Sequence, residues 1–121
     1  MSRKTYLISI TSEGEKTTEK VKGLFKDNKI TYYEKNKTKV DYNLNNHKLT
    51  RENNEMKLVY LFSSKKTKGN IYIKEFNKKI EIDIKTISLE ENINKINIDF
   101  YAGDKHILYV IEVIEWVFIK S

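Results

Sequence analysis

The chain has 121 residues, with 23 Lys or Arg against 17 Asp or Glu (net charge +6), 4 Gly, no Pro and no Cys. That length suits a single core, and the lack of cysteine excludes a disulfide scaffold, a thiolate metal site and a cysteine nucleophile. His47 and His106 are the only histidines, too few for a His-rich metal centre, so no cofactor and no metal are expected.

From the N-terminus onward the hydrophobic period is two, the signature of half-buried strands. Tyr6, Ile8 and Ile10 open the pattern. Val40, Tyr42 and Leu44 alternate with Asp41, Asn43 and Asn45, then Ile80, Ile82 and Ile84 with Glu81, Asp83 and Lys85, then Ile96, Ile98 and Phe100 with Asn97, Asp99 and Tyr101. These runs are rich in β-branched and aromatic residues, which suit a pleated surface. Polar turns separate them at Asp27-Asn28-Lys29, Asn36-Lys37-Thr38, Asn45-Asn46-His47, Asn53-Asn54, Lys68-Gly69-Asn70, Asn77-Lys78-Lys79 and Ala102-Gly103-Asp104. Asparagine carries most of this turn chemistry because it tolerates the left-handed backbone. Ser88-Leu89-Glu90-Glu91 reads as a turn, or as one short helical turn opened by a capping box. At about 8–12 residues per strand and turn, the chain holds roughly eight to ten strands joined as hairpins.

An open sandwich and a closed barrel both fit a run of hairpins. Open sheets often blunt their edges with proline, whereas closure removes the edges; with no proline and no long crossover, the expected fold is all-β, a closed antiparallel up-and-down barrel forming one domain over 1–121. The last strand is apolar on both faces, with Leu108, Val110, Ile114 and Trp116 on one and Ile107, Tyr109, Ile111, Val113 and Val117 on the other. Such a strand is covered by the chain's own N-terminal strand or is offered to a second copy as a homodimer interface. No apolar stretch is long enough for a signal peptide or a membrane span, so a cytoplasmic protein without membrane partners is expected.

Arg51 is the sole arginine beyond Arg3 in a chain that otherwise uses lysine, which points to a need for its planar, multidentate donor group. Glu34 is a candidate carboxylate partner. Among the eight tyrosines, Tyr33, Tyr42 and Tyr72 are candidates to line a small-ligand cavity, where rings supply apolar wall and hydroxyls supply polarity. There is no Gly-rich phosphate loop, no nucleophile elbow and no zinc-protease motif, so enzymatic activity is not expected. The Lys excess and a pI near 9.3, with basic turns such as Ser64-Lys65-Lys66-Thr67-Lys68, leave nucleic-acid binding open as an alternative. The scarcity of Arg, the usual reader of guanine, counts against sequence-specific recognition.

Thr31-Tyr32-Tyr33-Glu34, Lys48-Leu49-Thr50-Arg51, the segment Met56 to Phe62, Thr67 to Tyr72, Ile80 to Thr86 and Ile96 to Tyr101 follow one another in an order that resembles the YwiB-like family of small bacterial proteins. The chain departs from the family pattern at Glu52, Lys74 and Asn77, where glycine, threonine and glycine are expected. The resemblance implies a calycin-like, lipocalin-related barrel of unknown function and lends no enzyme activity. The residues themselves lead to a non-enzymatic binding module holding a small, partly apolar ligand in or at the mouth of the barrel. Arg51 and Glu34 would orient its polar end and Tyr33, Tyr42 and Tyr72 would form its wall.

Overall fold

The computed structural model describes residues 2–116, with the side chains of 115 and 116 left aside. Ten strands follow in chain order: β1 (Ser2–Ser12), β2 (Glu15–Lys26), β3 (Lys29–Tyr33), β4 (Lys39–Asn43), β5 (Lys48–Glu52), β6 (Met56–Leu61), β7 (Thr67–Ile73), β8 (Lys78–Glu91), β9 (Lys95–Ala102) and β10 (Lys105–Trp116). Every strand pairs antiparallel with its sequence neighbours, and β10 pairs with β1 to close the ring. Among the described residues no helix is long and apolar enough to cross a membrane.

The turns explain how so little glycine suffices. Hairpins that match the twist of their strands need positive φ in the loop. Glu13 and Gly14 (φ 53° and 82°) supply it between β1 and β2, Asp27 and Asn28 (φ 54° and 58°) between β2 and β3, and Gly103 (φ 64°) between β9 and β10. Longer turns use Asn side chains instead. Asn53 Oδ1 accepts from the Glu55 and Met56 amides at 2.8 and 3.0 Å, and Asn92 Oδ1 from those of Asn94 and Lys95 at 2.8 and 2.9 Å.

Two expected turns are strand. Ser88–Glu91 continues β8, because a bulge between Thr86 and Ser88 shifts the register: the inward phase of Ile80, Ile82 and Ile84 ends, Ile87 turns outward and Leu89 points in. Lys68–Asn70 lies within β7, where Gly69 faces Ile82; the preceding turn falls in 62–66. Asn77 does sit in a turn, while Lys78 and Lys79 already belong to β8.

Alternation sends one side chain in two to the interior. The core comprises Tyr6 and Ile8, Val21, Ile30 and Tyr32, Val40 and Tyr42, Leu49, Leu58, Tyr60, Phe62, Ile84, Ile96, Ile98, Phe100, Tyr109 and Ile111. The doubly apolar β10 has both edges occupied, by β9 and β1. Tyr109 and Ile111 enter the core, Leu108 and Val110 are half-buried outside, and Ile114 is exposed at a register shift. Val117 lies outside the described residues, as does the side chain of Trp116.

Candidate functional site

The short strands β3 to β6 place one row of inward residues across the barrel wall: Tyr32 opposite Val40, Val40 opposite Arg51, and Arg51 opposite Leu58. Arg51 therefore faces the interior because it shares the phase of Leu49 on β5. Glu34, the first residue after β3, is held by its own turn: its amide donates to Thr38 O and its carbonyl accepts from the Lys37 amide, both at 2.9 Å. The Asn53 side chain ties that turn to the next through Thr38 Oγ1 at 3.0 Å. The carboxylate of Glu34 then receives Arg51 Nη2 on both oxygens, at 2.5 and 2.9 Å. Both side chains are largely shielded, 28 % and 13 % exposed. Burial pulls the guanidinium pKa down, but the hydrogen bond and charge of Glu34 more than offset it, so the net direction is upward.

Beside this pair the Tyr32 and Tyr109 hydroxyls hydrogen-bond to each other. Both are pushed above the ordinary tyrosine range, chiefly by burial. Tyr60 moves the same way for the same reason, with Arg51 pulling it partly back. These three hydroxyls stay neutral and remain donors.

A cavity of about 380 Å³ opens at the end of the barrel that carries the β9–β10 turn, and Arg51, Tyr60 and Tyr109 line it among Leu49, Leu58 and Phe100. Asp104 and Lys105 stand at its mouth. Its floor is aromatic. The rings of Tyr60 and Phe100, which line it, and of Phe62, which does not, meet edge to face, with centroids 4.8 to 6.5 Å apart, a favoured arrangement. Tyr60 can occupy the wall only because Gly69 stands opposite it: a Cβ there would come within 2.6 Å of the ring. Beyond the floor the barrel is filled, with Tyr42, Phe62, Ile96 and Ile98 all essentially inaccessible.

Of the five residues singled out from the sequence, Arg51 and Glu34 are brought together at the cavity. Tyr42 points inward but into the filled core, where burial and then the Glu91 carboxylate raise its pKa. Tyr33 and Tyr72 do not line the interior. They are 59 % and 37 % exposed, because Ile30 and Tyr32 set the inward phase of β3, and Ile71 and Ile73 that of β7. Tyr60 and Tyr109 form the wall in their place, and the buried Tyr32 bonds to Tyr109. Tyr32, Tyr60 and Tyr109 each lie two residues from an inward apolar neighbour (Ile30, Leu58 and Ile107), and that phase was the available signal. In the Lys-rich segment before and within β7, Lys66 and Lys68 both reach Asp83, at 3.4 and 2.5 Å.

No family model matches the sequence, and no curated protein matches it. Among solved structures, the crystal structure of the ywiB protein from Bacillus subtilis is similar to this barrel, with a TM-score of 0.64 over 97% of this chain and 93% of that one, at 15% identity. At that identity the likeness is one of architecture: this chain folds as a YwiB-like barrel.

Proposed function

We propose that the barrel binds a small, partly apolar molecule in the cavity above Tyr60 and Phe100, with its polar end at Arg51 and Glu34, and that it is a binding protein rather than an enzyme. The cavity itself carries this reading: an apolar-walled pocket with a few converging polar groups is the usual form of a small-molecule site, and here it opens at one end of the barrel over a buried core. A binding role suits the Arg51–Glu34 pair, since both oxygens of Glu34 are already engaged by Arg51. The charged exterior and apolar interior invert the pattern of a lipid-embedded barrel and suit an aqueous compartment such as the cytoplasm.

At water's share of roughly 30 Å³ per heavy atom, the space takes about a dozen heavy atoms. At ~0.3 kcal/mol per atom these bring at least about 4 kcal/mol, near millimolar. A fragment screen read by NMR shift changes is therefore the suitable test. Fragments should perturb Leu58, Tyr60 and Phe100, and Arg51→Met should weaken binding of the polar ones at least tenfold. Hits that cluster elsewhere, or that ignore Arg51→Met, would remove this site. Nucleic-acid binding has less behind it, since Lys66 and Lys68 share Asp83; it predicts retention on heparin that collapses with salt. Self-association through β10 is confined to that strand's outer face, because both its edges are paired.

A further inference from the structure

Resting on the reading of the cavity as a binding site, we infer that the polar end of its ligand is a neutral hydrogen-bond acceptor, a carbonyl of the amide, ester or lactone kind, and not a carboxylate or phosphate. A lone arginine in an apolar pocket would ordinarily suggest an anion. Here its charge is already met, because Nη2 spans both oxygens of Glu34. Glu19, which accepts from the Lys35 amide at 2.9 Å, adds a second negative charge close enough to act on Tyr109. An incoming anion would lose its hydration while attraction to Arg51 is cancelled by repulsion from Glu34, so its desolvation penalty stays uncompensated.

What the site does have in surplus is donors. Among the described residues, Nη1 of Arg51 has no protein acceptor. In the Tyr32–Tyr109 pair one hydroxyl donates to the other, which leaves the second proton over, and Tyr109 lines the cavity. A carbonyl oxygen accepts two such bonds without bringing charge. An ammonium group finds the opposite defect, since it offers donors to donors and sits beside a guanidinium.

The test compares three probes of one shape and about the right size: 4-phenylbutanamide, 4-phenylbutanoate and 4-phenylbutylammonium, titrated by NMR at neutral pH. The amide should bind the unmodified protein at least tenfold more tightly than either ion. In Glu34→Gln the order of amide and carboxylate should reverse, because Arg51 is then uncompensated. Carboxylate or ammonium binding as tightly as amide to the unmodified protein overturns the inference and leaves the cavity as a site. No binding by any probe overturns the cavity reading as well. A Glu34→Gln variant that fails to fold removes only the reversal, and the comparison in the unmodified protein still decides.

Discussion

Inside the barrel the Tyr32 and Tyr109 hydroxyls meet each other, and each relieves the other of an unmatched buried polar group. Removing one leaves its partner bare, which costs about 1–3 kcal/mol, whereas removing both leaves nothing unmatched. Tyr32→Phe and Tyr109→Phe should therefore each destabilise by about 1–3 kcal/mol in urea. The double variant should lose clearly less than the two together, a coupling that a double-mutant cycle measures directly; strict additivity would contradict the contact. Arg51 and Glu34 differ because both are ionic. Arg51→Met strands a carboxylate that is only 13 % exposed. The loss expected is about 1–3 kcal/mol, below the 3–5 of a fully buried pair because the guanidinium still reaches solvent.

At the scale of the strand, the cavity wall depends on a glycine of β7. Gly69 leaves room for the Tyr60 ring, and a methyl group there would meet the ring edge at 2.6 Å and Ile84 at 3.1 Å. Gly69→Ala should cost about 1–3 kcal/mol through overpacking and should move Tyr60 resonances more than those of Tyr109; an unchanged melting curve would show that the ring yields freely. β1 bridges β2 and β10, so Leu7→Pro, which removes a ladder donor from a doubly paired strand, should abolish folding.

The strands were readable from the sequence wherever phase ran unbroken, as over Ile80–Ile84 and Ile96–Phe100. They were not readable at a bulge, since the phase break at Thr86–Ser88 looks in sequence like a turn. Arg51 stood out by composition and Glu34 as its carboxylate partner. The tyrosines were misassigned because residue type was weighed ahead of phase: in Tyr32-Tyr33 only one ring can face inward, and Ile30 decides which. Nothing in the sequence told that a cavity opens at one end of the barrel, because that depends on how side chains of β1, β5, β6, β8, β9 and β10 meet across it.

Over the whole molecule, buried tyrosines couple stability to alkaline pH. Burial pushes Tyr6 up to about 12 and raises Tyr32, Tyr42 and Tyr109 as well. A folded-state pKa above the unfolded value near 10 means that the stabilisation is complete below pH 10 and is lost as pH climbs toward 12. For Tyr6 alone two units amount to roughly 2–3 kcal/mol. The barrel should unfold cooperatively above pH 10, with tyrosinate absorbance of these rings appearing as the β-sheet dichroism disappears. Full tyrosine ionisation with the sheet signal intact would contradict this burial.

Because each strand neighbours the next and Lys4 on the first lies against Trp116 on the last, the ring of hydrogen bonds has no privileged starting point. Splicing the two ends with a short flexible linker and cutting instead between Asn45 and Asn46, in an exposed loop where such cuts are tolerated, would leave each ladder in its present register. Such a permutant should fold with the same pocket and melt within a few degrees of the parent.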